Sequence, residues 1–444
     1  MSIGFAAYAL LLVLLAIGAW LRPPTAIAAL VCLYGLKQLG EASHPWLAAN
    51  AVFTNFAVAA IVALAVVRRV LQGKMTTNRM PTIYWLILTF YAYALLSVAW
   101  TTARASALNM WGIDYAYMVL FIFVAPWLAA TDAELRSAFG WLECAGGILV
   151  VAVLFTARWG DRGLLVSSGT IFDETNPLAI ADLAGVVAVT ALFSVSARVR
   201  ALTRGVRLSI VAVCAIAIVR SGSRGQLIAA CVTILLMLPV AYPVNRLRTA
   251  ASAFVAVAVV GGAIAWAVAS YVQWYDDRWL KSTELGDVAG RWTMVRALLT
   301  AWSQTGMSVV FGIGNSGSFS PSIAGYYPHN VPLEILGEEG VLGFTLYVAL
   351  VACVVVGAFR AMRYTGDDLA KRRLLAVTLG CFLFTLIVSL KQGNAIGSVT
   401  FFMFAMLTSR AATQISAAHM EAAASTNIGR RPAKLQSAFP NLMH

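Results

Sequence analysis

Apolar runs long enough to cross a bilayer recur along almost the whole chain, and this limits its fold more than any single residue does. They lie at about 3–21, 25–40, 46–67, 82–100, 112–130, 139–157, 177–197, 208–221, 226–242, 250–272, 333–358, 374–390 and 395–409. A helix needs roughly 20 apolar residues to span the hydrocarbon. Inside lipid every backbone amide must be paired within the protein, so only helices or a closed barrel are available. The runs are continuous, without strict apolar–polar alternation, and this selects helices. The expected fold is all-α: a polytopic integral membrane protein of about twelve transmembrane helices, with one long outer loop containing an amphipathic helix. A mean hydropathy of +0.80 with 11% charged residues agrees and excludes an ordinary soluble domain.

Charge sets the sidedness. Basic residues cluster at Arg68, Arg69, Lys74 and Arg79; at Arg198, Arg200, Arg204 and Arg207; at Arg246 and Arg248; and at Arg360, Arg363, Lys371, Arg372 and Arg373. With alternate crossings, these clusters share one side, which the positive-inside rule assigns to the cytoplasm. The outer side then receives 101–111, 158–176, 220–225, 273–332 and 391–394. The net charge of +13 is thereby read as topology and not as nucleic-acid binding. Arg22-Pro23-Pro24 breaks the earliest runs, and the 25–40 run is short and ends near Lys37 and Glu41. One early run is therefore expected not to cross, leaving both termini cytoplasmic. The first run has no basic leader and no cleavage site, and reads as a retained segment. One helical domain covers 1–410, with 273–332 as its long outer loop, and 411–444 forms a basic cytoplasmic tail. The six cysteines lie in apolar runs without metal or disulfide spacing and read as small core residues.

The outer loop carries the chemistry. Val295, Leu298, Leu299 and Trp302 share one side of a helical stretch over Gly290–Trp302, as expected for a helix lying on the membrane surface. Gly312–Ser318 reads as loop. Of the four histidines, His44 lies in a short loop and His419 and His444 lie in the tail. Only His329 stands at the mouth of a long apolar helix, with Asn330 as its cap, Pro332 in its first turn and Glu334 close behind. A neutral imidazole there can take a proton from a hydroxyl at physiological pH. The helix N-terminus disfavours the imidazolium, whereas a nearby phosphate would favour it. The competing role for His329 is a simple cap. Glu334 and Glu338 fall on one helix face and Glu339 turns away.

The outer side should be poor in basic residues, yet it carries Arg158, Arg162, Arg220, Arg224, Arg278, Lys281, Arg291 and Arg296. An anionic ligand supplies a reason. Arg220 and Arg224 flank a hairpin, Arg220-Ser221-Gly222-Ser223-Arg224-Gly225. The run before it, from Leu208, is short for a span. Either its Arg204–Arg207 end is drawn into the headgroups or the hairpin arginines sit below the outer surface. Arg224 opens a helix, where free amides also favour anions. Interfacial anchoring competes for Arg220 and Arg224, a headgroup contact for Arg291, and ion pairs with Asp161, Asp173 or Glu174 for Arg158 and Arg162. No metal-ligand set and no phosphate-cradling Gly-Lys motif is present, so no metal and no cofactor is expected.

Three elements stand in order: Ser221-Gly222-Ser223-Arg224-Gly225, Gly290-Arg291-Trp292, and His329-Asn330 followed by Leu333-Glu334, Glu338 and Gly340. Gly169-Thr170-Ile171-Phe172 with Asn176-Pro177 precedes them. Together, over roughly 170–355, they resemble the O-antigen ligase and polymerase superfamily of bacterial cell envelopes. The resemblance implies inverting, metal-independent transfer of a glycan from undecaprenyl diphosphate at the periplasmic face of the inner membrane. His329 matches the base that activates the acceptor hydroxyl. Arg224 and Arg291 match the arginines that hold the diphosphate, and Arg220 is grouped with them. Arg158, Arg162, Asn176, Arg296, Asn330 and Glu334 are the further expected substrate contacts. The implied partners are the lipid-linked glycan donor, a lipid A–core acceptor and membrane lipids, with no nucleic acid. The single long outer loop resembles the ligases; the short tail argues against the longer protein-modifying members. A polymerase using a second lipid-linked glycan is the alternative within the superfamily. A lipid-linked glycan transporter, binding diphosphate without chemistry, is the alternative from another class.

Overall fold

The computed structural model describes residues 2–73, 81–159, 164–167, 172–175, 178–194, 201–242 and 281–428. Its longer helices are α1 (Ile3–Leu21), α2 (Thr25–Ser43), α3 (Val52–Leu71), α4 (Thr82–Ser97), α5 (Arg104–Leu128), α6 (Asp132–Thr156), α7 (Leu178–Phe193), α8 (Ala201–Arg220), α9 (Arg224–Ala241), α10 (Lys281–Trp302), α11 (Val331–Arg363), α12 (Leu369–Ser389) and α13 (Val399–Ile428), with short helical turns at Pro45–Ala49 and Gly306–Phe311. Among the described residues, seven are long and apolar enough to cross a membrane: α1, α3, α5, α6, α9, α11 and α12. α4 and α7 are shorter apolar helices. The expected run at 250–272, the basic pair Arg246 and Arg248, and the end of the tail from 429 lie outside the described residues.

α2 corresponds to the short second run. Every residue from Thr25 to Leu33 is buried, enclosed by α1, α3, α6 and α7. α5 begins at Arg104, well before the expected start at 112, and its turns at Val119–Val124 are π-helical. α13 continues to Ile428, through much of the stretch read as a tail, and buries Ala411, Ala412 and Ile415. The one departure from helix among the described elements is an antiparallel ribbon, β1 (Leu164–Ser167) with β2 (Phe172–Thr175), in register Leu164 to Thr175. Cys32, Cys214 and Cys381 are buried, but Cys144 and Cys353 are exposed, so these two are not core residues as expected.

Arg69, Arg207 and Arg372, from three of the basic clusters, gather at one end of the bundle, tied down by groups from other helices. Arg69 pairs with Glu134 at 2.8 Å. Arg207 Nε donates to Glu143 at 2.7 Å, and its Nη1 donates to the Ser194 carbonyl. Arg410 donates to the Pro126 carbonyl and Arg372 to those of Pro239 and Val240. A charge leaving water is strongly penalised unless paired. The Glu143 pairing thus lets α8 continue through Arg207 as a helix of 20 residues. The short apolar run from Leu208 is explained by its basic end joining the helix. The hairpin between α8 and α9, the ribbon, the 303–330 loop and the 390–398 loop lie at the opposite end.

Candidate active site

Asn330 caps α11: its Oδ1 accepts from Leu333 N at 3.1 Å, while its Nδ2 donates to the Leu390 carbonyl at 2.8 Å. His329, just before it, adopts φ +56°, a conformation that side chains other than glycine seldom take. The chain therefore turns sharply between Pro328 and the cap. The imidazole lies against Tyr327, ring centroids 4.3 Å apart, and Tyr326, 5.5 Å apart. Burial lowers the His329 pKa from its ordinary value, and the Arg291 charge lowers it further. Both effects keep the ring neutral. From the sequence the helix N-terminus is the expected cause; in the structure burial leads and Arg291 follows. Burial likewise raises the Tyr327 pKa, so its phenol stays protonated.

Arg291 reaches this point because α10 docks on α11. Val295 and Leu298 are buried, and a Cβ on Gly337 would collide with the Leu298 side chain. Glycine at 337 thus admits the close approach of the two helices. Trp302 Nε1 donates to the Val309 carbonyl at 3.1 Å and fastens the end of α10. A helix covers the expected stretch but extends back to Lys281, and Val295 and Leu298 pack on protein and not on the membrane surface. Leu299 and Trp302 are half-buried, and Trp292 is exposed.

The three acids are all drawn inside the protein. Glu334, Glu338 and Glu339 are all buried. Glu338 accepts from Ser316 N at 2.6 Å, Ser318 N at 3.0 Å and Ser318 Oγ at 2.6 Å. Glu339 accepts from Asn315 Nδ2 at 3.1 Å, and Asn315 Oδ1 accepts from Trp111 Nε1 at 3.2 Å. Gly340 has φ +67°, so regular helix breaks directly after Glu339. The Glu338 carbonyl then accepts from Gly314 N, and the Gly337 carbonyl accepts from Ile313 N. Glu338 and Glu339 therefore both hold the Gly312–Ser320 loop, and helical periodicity fails to separate them. Glu334 bonds to a different segment: its Oε1 accepts from Ala395 N at 3.0 Å, and its buried Oε2 has no hydrogen-bond partner among the described residues.

Arg224 is the first residue of α9 and is half-buried. Arg220, at the end of α8, lays its guanidinium over the Trp159 ring at 5.1 Å and reaches toward the Leu154 carbonyl. A Cβ on Gly225 would run into the side chain of Lys391, which therefore lies across the first turn of α9 beside Arg224. Gln226 donates to Asp182 at 3.1 Å and to Gln392 at 2.6 Å, and Gln392 donates to Asp182 at 2.9 Å. Beneath this network is a cavity of about 270 Å3 whose lining includes Tyr34, Asp182, Ser389, Gln392, Ser398 and Phe401. The loop after α12 thus touches both halves of the site. Leu390 is bonded to Asn330 beside His329, and Lys391 lies on Gly225 beside Arg224.

Arg158 is exposed at the base of the ribbon, where its carbonyl accepts from Leu165 N, and Arg296 is exposed on α10. Arg162 and Asn176 lie outside the described residues. Sequence reasoning misses Lys391, although it is another cation on the side opposite the basic clusters. It also misses Tyr326-Tyr327, adjacent aromatics immediately ahead of Pro328-His329. Nothing local in the sequence points to the Asp182–Gln226–Gln392 network, which joins three separate segments. Among the described residues, no group of three or more His, Cys, Asp or Glu side chains is placed to hold a metal ion.

The family described as O-antigen ligase matches residues 209–348. That stretch contains Arg220, Arg224, Arg291, His329 and Glu334 in the order read from the motifs, so the resemblance is borne out there. The match does not extend back to the Gly169–Pro177 element. No curated protein matches the chain.

Proposed function

We propose that this chain, a relative of the O-antigen ligases, transfers a glycan from undecaprenyl diphosphate to a lipid A–core acceptor at the periplasmic face of the bacterial inner membrane. The observation that carries the reading is the pairing of His329, kept neutral by burial and by Arg291, with Arg224 across one short loop. A base and a cationic diphosphate site are the two groups this transfer needs.

His329 accepts the proton of the acceptor hydroxyl as that oxygen attacks the anomeric carbon. The carbon–oxygen bond to the diphosphate breaks on the opposite face, so the anomeric configuration inverts. The bonding pair leaves with the diphosphate, whose added charge is met by Arg224 and Arg291, with Arg220 behind them. The proton on His329 passes to solvent after product leaves. The lipid diphosphate is already an activated donor, so neither nucleotide nor metal is assigned a part.

The test is a His329→Ala strain. Lost glycan transfer with lipid-linked donor still delivered to the periplasm supports an enzyme; donor trapped in the cytoplasmic leaflet would make the chain a transporter. Lipopolysaccharide from a deletion strain names the acceptor. Rough lipopolysaccharide with long polymer left on the carrier supports the ligase, whereas core bearing a single repeat unit would identify a polymerase.

A further inference from the structure

We infer that the aromatic cluster beside His329 is a saccharide subsite, in which Tyr326 stacks on a pyranose ring of the acceptor and so presents its hydroxyl to the imidazole. The inference rests on the reading of His329 as the base for the acceptor.

Tyr326 and Tyr327 are stacked, with centroids 4.5 Å apart and planes 29° apart. Phe319 supports both rings from the preceding turn, at 5.8 Å and 6.0 Å. Tyr327 is half-buried against His329, yet Tyr326 remains 46% exposed. Here one aromatic residue is held in place by two others and still offers surface next to the proposed base. The face of an aromatic ring carries the negative part of its quadrupole. A pyranose presents a face of polarised C–H groups to such a ring, while its equatorial hydroxyls point sideways to hydrogen-bonding neighbours. His329, 5.5 Å from the Tyr326 centroid, stands where such a neighbour is needed. Ser320 and Ser322, hydrogen-bonded to each other at 2.8 Å in the same turn, add hydroxyls nearby. Because Tyr327 already fixes the Tyr326 ring, little side-chain freedom is lost when a sugar binds.

The subsite belongs to the acceptor and not to the donor glycan for a geometric reason. The tyrosine rings lie directly against His329, the group that takes the acceptor proton, whereas Lys391 lies over Gly225, next to Arg224. The ligand class is therefore a pyranose sugar of the acceptor oligosaccharide.

The experiment uses the full-length protein in proteoliposomes with acceptor glycolipid and lipid-diphosphate donor varied in turn. Tyr326→Ala is expected to raise the acceptor KM about tenfold, with the donor KM and kcat changed less than about twofold. Tyr326→Phe and Tyr326→Trp, which keep a ring, should hold the acceptor KM within about threefold of wild type. An unchanged acceptor KM in Tyr326→Ala, a rise in the donor KM instead, or failure of Phe and Trp to restore the acceptor KM would each overturn the subsite. A membrane-anchoring tyrosine would lower the amount of folded, inserted protein without moving the acceptor KM alone. The parent reading fails separately, through near wild-type turnover in His329→Ala.

Discussion

The side-chain amide of Asn330 donates to the carbonyl of Leu390 at 2.8 Å, across 60 residues of sequence. This bond ties the start of α11, and with it His329, to the loop whose next residue lies on Gly225 beside Arg224. His329, the proposed base, and Arg224, the proposed diphosphate ligand, are thus joined through one short segment of backbone. Asn330→Ala should lose both the cap and the tether. We expect a destabilisation of about 1–2 kcal/mol from the cap and a fall in kcat larger than the loss of folded protein explains. Thermal unfolding in detergent, set beside turnover per folded molecule, checks it. A fall in activity fully accounted for by unfolding would leave Asn330 as a cap alone.

Arg224→Lys separates charge from shape. Lysine keeps a cation at the start of α9 but lacks the planar fork that can grip two phosphate oxygens. Removal of one donor that stabilises developing charge typically costs about 10²–10³ in rate. Arg224→Ala is expected to fall in that range and Arg224→Lys to lose at least about tenfold, with the protein still inserted. Transfer assays on equal amounts of membrane-extracted protein measure this. Near-normal rates in Arg224→Ala would reduce the residue to an interfacial anchor.

Glu338 is the post on which the Gly312–Ser320 loop hangs. Glu338→Ala removes the acceptor of Ser316 N and Ser318 N, leaving two buried amide donors unpaired. Each orphaned donor costs about 1–3 kcal/mol, so a destabilisation of about 3 kcal/mol or more is expected. Glu338→Gln keeps one acceptor oxygen and should lose less. The melting temperatures of the two variants in detergent give the ordering; equal values would show that the loop is held by something else.

Much of this arrangement is legible in the amino-acid sequence. The apolar runs mark most helices because continuous hydrophobicity is a local property. The sharing of one bundle end by Arg69, Arg207 and Arg372 follows from counting crossings. Asn330 reads as a cap because a cap depends on three or four neighbouring residues. What the sequence hides depends on partners far along the chain. The continuation of α8 through Arg207 depends on Glu143, on another helix, which accepts from Arg207. The role of Glu339 is set by the distant Asn315 amide it accepts from, and the break after it, at Gly340 with φ +67°, is not expressed by periodicity. Lys391 gains its meaning only from Gly225, and Gln226 only from Asp182 and Gln392.

The last prediction tests the coupling between Arg291 and His329. Burial lowers the His329 pKa first and the Arg291 charge lowers it further. A depressed imidazole pKa means that the neutral, proton-accepting form persists to lower pH. Wild-type kcat/KM should therefore fall on the acid side with a midpoint below the ordinary histidine value of about 6.5. Arg291→Gln removes a neighbouring positive charge, which favours the imidazolium, so this midpoint should move up. Burial remains in the variant, so the shift should be partial. The rate itself will also drop, because Arg291 is assigned to the diphosphate; the midpoint, not the amplitude, is the measurement. In His329→Ala the overall rate should fall about 10²–10⁴, the usual scale of general-base catalysis, and the acid limb should vanish from what remains. A midpoint in Arg291→Gln that stays fixed or moves down would break the electrostatic link. An acid limb that survives in His329→Ala would assign the base to another residue.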